Sequence, residues 1–545
     1  MSVEPHDVCI VGTGAGGGIL AHTLVQAGMR VISVEQGDAL PEDYFTRVNP
    51  PGDPADFGLK PDVTFPLDPH EFAFHHKLYA SPGMRSSHTA VPGSFRQYQI
   101  LALNGLMNLW NGVSVRLSQE DFDGWPLAYR DLEHHYGAVE RVGRVCGTRE
   151  NLRDLPDGEF IAPKALRPPD LLFKAAAGKI RGHDLRVIPN RKAVETRPEQ
   201  PNHCRDTGGC ISGCPYDAVY KFSSHLLPSM KNSGRYTLRL NSKAVGLQCK
   251  APGEPIQGLW VLDPHTGAKD IIQAKTYVLS AGALETPRIL FNSATDGLPQ
   301  GLANSSGQLG QGLQDNPKAL LSTSLWRLWG SRKRYPAGYG DHLLVLARTE
   351  TAGGESFRCI GQFVHQLPAI PLYLPWLRAC PPALKPWLAK QLFRSYATLA
   401  FFAPATRKPG NRLVPSQRKD ALGVPQVEVV YRQSSQEQAM KQAMLALGEK
   451  LLRKASATMI LKEEAASGLG IHYAGTARMA AEPSQGVVDA NLRCFDHPNL
   501  YVCDGSVIPK LPEKHLTLTI MALAHRLGRH LAQSQPTENS QRGSA

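Results

Sequence analysis

Residues 7 to 38 read DVCIVGTGAGGGILAHTLVQAGMRVISVEQGD, and the order of signals in them sets the fold. Val8 to Val11 is a short apolar run, and Gly12-x-Gly14-x-x-Gly17 comes directly after it. Ile19 to Ala27 has helical apolar spacing, and Val31 to Val34 is a second apolar run that ends at Glu35. Strand, glycine turn, helix and strand in this order form the opening unit of a parallel, doubly wound sheet. Each glycine has a mechanical role. Gly12 makes the tight turn, Gly14 lets the backbone approach a pyrophosphate, and Gly17 lets helix and strand pack closely. The helix N-terminus faces the phosphates, and Glu35 stands about 20 residues on, where an acid accepts from a ribose hydroxyl. The stretch therefore predicts an α/β domain with a dinucleotide bound at its N-terminal turn.

The chain of 545 residues is long enough for two or three domains with buried cores. Sixty Lys and Arg against 48 Asp and Glu leave a net charge of +12, but the basic residues are scattered and no basic run is interleaved with aromatics. That pattern reads as solvated surface and argues against nucleic acid as a partner. The N-terminus, MSVEPHDVCIVG, has no basic region leading into an uninterrupted apolar core, so it is expected to enter the fold directly. With no run of ~18 apolar residues free of charge or Pro, no transmembrane span is expected. Cytoplasm is the default location, and periplasmic export with a partner subunit that carries its own signal stays open. After about Gln533 the polar tail, SQPTENSQRGSA, has no apolar period and reads as disordered.

The stretch from Gly470 to Ala522 holds His472 near its start and His515 near its end, with the apolar run Leu500 to Cys503 and the pair Asp504-Gly505 between them. Two imidazoles returned to one place by a strand and a turn can take a proton from an alcohol near neutral pH, where histidine titrates. Three further segments stand out: GLMNLWN (105–111), SAGALETPRIL (280–290) and SGQLGQGLQDNP (306–317). Together with HYAGT, GVVD, NLYVCDGSVIP and HLTLTIMALA near the C-terminus, these segments resemble the glucose–methanol–choline (GMC) oxidoreductase family of FAD-dependent enzymes over nearly the whole chain.

The resemblance implies how the segments meet on one flavin. Gly12, Gly14, Gly17 and Glu35 would hold the ADP half, and the backbone around Ala244 and Val245 would approach the adenine. Asn108 and Asn111 would lie near the flavin, and Asp504 and Gly505 near the ribityl chain and pyrophosphate. His472, in an H-x-x-G-T pattern with Gly475 and Thr476, matches the family's general base beside the flavin N5. His515 occupies a position that is His or Asn in the family and would orient the substrate oxygen, while the carbinol hydride passes to FAD.

Between about Trp326 and Lys462 the texture changes. Alternating runs at His342 to Arg348, Ser356 to Val364, Ala397 to Phe402 and Gln426 to Tyr431 predict antiparallel strands. Ser434 to Glu437 has capping-box spacing, and Met440, Met444, Leu447 and Leu451 then fall on one helical face. The expected architecture is a Rossmann-like FAD-binding domain from 1–165, 215–320 and 470–533, with a cysteine-rich loop segment at 166–214 and a tail at 534–545. The second domain, 321–469, would be built on an antiparallel sheet and helices. Within it, residues 367 to 396 are rich in Pro and aromatics with four basic residues among them. We read this run as the packing of an insertion with snorkelling cations, against a lid or a docking surface.

Seven of the ten cysteines are dispersed and read as small buried apolar residues. The other three, Cys204-x5-Cys210-x3-Cys214, lie on a Gly-rich loop that ends at Pro215. Closely spaced thiolates among free amides suit a soft metal centre, whereas zinc asks for a fourth ligand that the spacing does not supply. The resemblance narrows this to a [3Fe–4S] cluster, as in the catalytic subunits of bacterial FAD-dependent sugar dehydrogenases. Those work with a small accessory subunit and a cytochrome c. The leading expectation is therefore oxidation of a sugar, glycoside or polyol alcohol by hydride transfer to FAD, with electrons leaving through the cluster to a cytochrome or quinone. The alternatives are an oxidase that reduces oxygen with the cysteines idle, a dehydrogenase of a hydrophobic alcohol, and a flavoprotein without catalysis.

Overall fold

The computed structural model describes residues 6–48, 88–90, 95–206, 210, 213–251, 253–330, 342–364 and 379–534. The tail after Ser534 and the first part of the Pro-rich insertion lie outside these residues.

The N-terminal signals fold in the expected order. His6–Val11 is a strand, Ala15–Gln26 a helix and Val31–Val34 a strand, and the two strands pair in parallel. Ala274–Leu279 and Leu500–Val502 add on one side and Tyr236–Arg239 on the other, giving a parallel sheet of five strands. In its inner strands residues 8–11 and 31–34 are buried, because both faces are covered, as parallel sheets require. The N-terminal helix packs on the C-terminal helix Thr517–Ser534, which in turn packs on Tyr129–Gly143. At Gly17 the N-terminal helix lies hard against the glycine turn: a Cβ there would lie 2.0 Å from the Gly12 carbonyl oxygen. A separate antiparallel meander, Lys243–Gln248, Gly258–Leu262 and Lys269–Ile272, sits apart from this sheet.

The second layer is an antiparallel sheet of six strands. In order across the sheet they are Ala457–Glu464, Lys318–Leu325, Tyr396–Phe402, Ser356–Val364, Leu343–Glu350 and Asp184–Pro189. The period of two along each strand sorts the side chains between two faces. Leu321, Val345, Phe363, Leu399 and Phe401 point to one face and pack under helix Ser435–Lys454, where Met444 and Leu451 are fully buried. Each such side chain contributes about 1.5–3 kcal/mol by leaving water. The helix starts at a reciprocal cap in which Ser434 Oγ accepts from Glu437 N (3.0 Å) and Glu437 accepts from Ser434 N (2.7 Å). Leu320, Leu344, Ile360, Ala400 and Phe402 occupy the opposite face.

Two details depart from a reading by segments. Residues 166–214 are divided: Pro168–Ala177 and Asp184–Pro189 supply a helix and an edge strand to the antiparallel layer, and only the later residues turn into the cysteine loop. In the insertion, helix Lys385–Arg394 leaves Leu384 and Trp387 facing solvent. Cys9, Cys146, Cys249, Cys359, Cys494 and Cys503 are buried as small apolar residues, and Cys380 is half-buried.

A Gly17→Ala substitution is expected to lower both soluble yield and flavin content, read as visible absorbance at equal protein concentration. Ser434→Ala, at the far helix, should lose about 1 kcal/mol of stability and keep its flavin.

Candidate active site

Three consecutive residues, Gln314, Asp315 and Asn316, join the two loops that carry the histidines. The Gln314 side chain accepts from Leu511 N (3.0 Å) and donates to Pro509 O (3.2 Å), while its backbone exchanges hydrogen bonds with Ala474. Asp315 accepts from Gly470 N and His472 N, both at 2.9 Å. Between those amides Ile471 has φ +60°, an unusual conformation for a β-branched residue that costs of the order of 1–3 kcal/mol. The carboxylate holds this strained turn closed and so aims His472.

Asn316 decides the protonation pattern of that imidazole. Its Nδ2 donates to Ala403 O (2.7 Å) and Pro512 O (2.8 Å), which uses both amide protons and leaves Oδ1 as acceptor only. His472 Nδ1, 2.8 Å from Oδ1, must therefore carry the proton, so Nε2 keeps the lone pair.

His472 and His515 face each other with ring centroids 4.8 Å apart and planes at 75°. Phe402 forms the third wall, 5.2 Å from His472 and 5.1 Å from His515. Both ring nitrogens of His515 are buried and have no hydrogen-bond partner among the described residues. Buried polar atoms left this way are costly, and a hydroxyl oxygen entering beside the ring would satisfy them. The residue before His515, Lys514, is anchored by Asp121, by Ser118 Oγ (3.3 Å) and by Glu513 (3.9 Å), and Arg358 pairs with the same two acids. Burial alone would raise the Asp121 carboxyl, but Lys514 and Arg358 more than offset it and hold it below its ordinary value.

The electrostatics keep both imidazoles neutral. Burial, and after it the charge of Lys318, pushes His472 down to about 3. Burial, His472 and Lys318 together hold His515 well below the usual histidine range. Lys318 opens a strand on the same sheet face as Phe402, its ammonium 5.6 Å from that ring and bonded to Leu469 O (3.2 Å). His515 also lies just ahead of the N-terminus of helix Thr517–Ser534, whose positive end disfavours an imidazolium. Burial pushes Asp315 up to about 6 in spite of its two amides and Lys318.

The nucleotide end is built on the glycine turn. Gly12, at φ +97°, reverses the chain, and Gly14 caps helix Ala15–Gln26 without a side chain to occupy its first amides. A Cβ on Gly14 would meet only Asn104 O at 3.9 Å, so the approach to those amides is open to a phosphate. Glu35 is buried and accepts from Thr13 Oγ1 (2.7 Å) and Gly37 N (3.2 Å). Val245 is the extra residue of a bulge between Ala244 and Gly246, which leaves its peptide outside the ladder. The open cradle, the bulged peptide and the orphaned imidazole fit an FAD.

Other expected residues serve the frame. Asn108 donates to Leu103 O and Gly105 O (2.9 Å each) and shapes its own turn. Asp504 accepts from Gly282 N, Thr286 Oγ1 and Ser506 N and Oγ, tying the turns after two parallel strands together. Gly505 O accepts from Gly475 N, which joins the Asp504 turn to the His472 loop. Asn111 donates to Gln362 Oε1 (2.8 Å) and accepts from Lys192 Nζ (2.9 Å), and the same Nζ lies 3.4 Å from Cys210 Sγ. Cys204, Cys210 and Cys214 gather half-buried around Val194, Ala218 and Val219, while among the described residues no three His, Cys, Asp or Glu stand as a ready metal site.

Sequence reasoning does not single out Gln314, Asp315, Asn316, Lys318, Gln362 or Phe402. The first three lie inside the SGQLGQGLQDNP segment, where a Gln-Asp-Asn run before Pro was the available signal.

Sequence models of GMC oxidoreductases match residues 191–318 (N-terminal domain) and 411–524 (C-terminal domain). The 6'''-hydroxyparomomycin C oxidase of Streptomyces lividus is 26% identical over 550 residues, 96% of this chain and 91% of that protein. The fructose dehydrogenase large subunit of Gluconobacter japonicus is 26% identical over 579 residues, 95% and 96% of the two chains. The 2-methyl-1,2-propanediol dehydrogenase of Mycolicibacterium austroafricanum is 24% identical over 561 residues, 97% and 96%. In fold, the crystal structure of pyridoxine 4-oxidase from Mesorbium loti superposes with TM-score 0.62 at 17% identity, covering 97% of this chain and all of that one.

Replacing His472 by Ala should lower kcat by about 10²–10⁴-fold at unchanged flavin content. A value of about 3 keeps the His472 imidazole neutral near neutral pH, so titration of His472 is expected to add no acid limb to the profile there. Asp315 holds the two amides, one on each oxygen, more strongly when ionised, so kcat/KM should fall as pH drops below about 6 and be flat above it. Asp315→Asn should be slower at every pH and lack that limb; a limb that persists would locate the titration elsewhere.

Proposed function

Because this chain belongs to the GMC oxidoreductase family, an FAD-dependent family acting on alcohol and sugar groups, we propose that it oxidises a carbinol of a sugar, glycoside or polyol. The observation that carries the reading is the facing pair His472 and His515, one with its tautomer locked and the other with both nitrogens unpartnered among the described residues. FAD, when bound, supplies the hydride acceptor. His472 Nε2 receives the hydroxyl proton, and the carbinol becomes a carbonyl as its hydride departs. His515 binds and orients the hydroxyl oxygen, and Phe402 closes the third side against water. Lys318 disfavours a lasting imidazolium, so the proton is released rather than stored.

We further propose that Cys204, Cys210 and Cys214 hold a [3Fe–4S] cluster, which would supply one-electron transfer to a cytochrome c or quinone with a small accessory subunit. Three observations support it: the spacing, the gathering of the three thiols on one patch, and Lys192, which bonds Asn111 and reaches Cys210. The full-length likeness to the fructose dehydrogenase large subunit agrees with it. A second reading, direct reduction of oxygen with the cysteines idle, draws on relatives named as oxidases, among them 6'''-hydroxyparomomycin C oxidase and paromamine 6'-oxidase, each matched over 96% of this chain.

Anaerobic titration of the purified flavoprotein with sugars, glycosides, polyols and long-chain alcohols should bleach the flavin bands with members of the first three classes. Iron near three per flavin with a cluster spectrum supports the dehydrogenase. Iron-free enzyme that releases one peroxide per substrate establishes the oxidase.

A further inference from the structure

The antiparallel sheet has two ends of opposite character. Lys318 starts its strand beside the histidines, and the same strand runs out at Trp326, roughly 25 Å away at 3.3 Å per residue. Of the six large apolar side chains exposed among the described residues, the three most exposed are Trp326 (54%), Leu384 (54%) and Trp387 (53%). They lie together. Helix Lys385–Arg394 is fastened to the turn after Trp326, with Gln391 Oε1 accepting from Gly330 N (2.7 Å) and Ser395 Oγ from Trp329 Nε1 (3.0 Å). Trp387 stands one turn before Gln391, and Leu384 precedes the helix after the exposed Pro381, Pro382 and Ala383.

Cations surround these side chains. Arg327 is exposed and lies 5.5 Å from the Trp326 ring. Trp326 N donates to Ser456 O (3.1 Å), which brings the exposed Arg453 and Lys454 to the same end, and Lys385 opens the helix. Glu449, one turn before Arg453, is bridged by Arg453 (2.6 Å) and Lys462 (2.8 Å). The described stretch 379–395 at this end carries no Asp or Glu, against three Lys and Arg.

We propose that this end of the sheet is a docking surface for an anionic lipid bilayer. Exposed indoles bordered by Lys and Arg suit the boundary between headgroups and acyl chains, where tryptophan inserts and cations meet phosphate. Acidic side chains would oppose such contact, and this stretch of chain has none. The mode is peripheral, since no helix among the described residues is long and apolar enough to cross a membrane. The inference is independent of the cluster reading: it concerns where the enzyme rests and not where its electrons go.

The test is sedimentation of the flavin-loaded enzyme with vesicles of phosphatidylcholine, with and without phosphatidylglycerol. Binding is expected only with phosphatidylglycerol and should weaken as salt rises. The double variant Trp326→Ser/Trp387→Ser should lose it, and Arg327→Glu/Lys454→Glu should weaken partitioning about thirtyfold or more, at roughly 1 kcal/mol for each of the two cations removed. Turnover with a soluble dye should be unchanged in both variants, which separates lost docking from lost folding. The proposal is overturned if the wild type ignores anionic vesicles, or if the tryptophan variant binds them as well. It is equally overturned if the face proves to join two copies, seen as a dimer that the tryptophan variant dissolves while vesicles bind neither protein.

Discussion

The facing of the two histidines depends on one short suture. Gln314, Asp315 and Asn316 are buried, and their side chains bind Pro509, Leu511, Gly470, His472, Ala403 and Pro512. Those partners belong to the two histidine loops and to the end of a sheet strand, which are otherwise distant in the chain. Because every side-chain polar atom in the triplet has a partner, the loops are fixed relative to each other, and the strained Ile471 is tolerated because its neighbours are over-determined. Orientation of the His472 ring is thus set by amide and carboxylate hydrogen bonds within the chain itself.

The same neighbourhood sets the charge state. Burial, a nearby ammonium and a helix N-terminus all work against protonating the imidazoles, and among the described residues no carboxylate bonds to either ring to oppose them. An imidazole that is neutral at rest has its lone pair free to accept a proton. The ammonium that secures this is itself placed by strand alternation: Lys318 pairs in register with Phe402, so the cation and the aromatic wall share one face of the sheet. The sheet's opposite face, under helix Ser435–Lys454, is apolar in its core and provides the rigidity. At its far end the sheet exposes indoles and cations instead, so one scaffold carries the chemistry and a surface of different character at opposite ends.

Much of this was legible from residue patterns, where the signal is local. The first strand, helix and second strand follow from apolar period and glycine placement, and the strands at Ser356–Val364 and Tyr396–Phe402 follow from alternation. The cap at Ser434 follows from two residues three apart. The facing of His472 and His515 was reached through their family patterns, and no spacing between them would have shown it.

The amino-acid order by itself therefore determined the class of fold, the dinucleotide turn and the identity of the two imidazoles, because each is carried by a pattern among near neighbours. The tertiary structure alone decided which nitrogen of His472 keeps its lone pair, since that depends on carbonyls at positions 403 and 512 using up an amide at 316. It alone placed Lys318 and Phe402 at the site and Lys192 between Asn111 and Cys210. Long-range hydrogen bonds and through-space charge leave no periodicity in a sequence, so these features became visible only once the strands were in register.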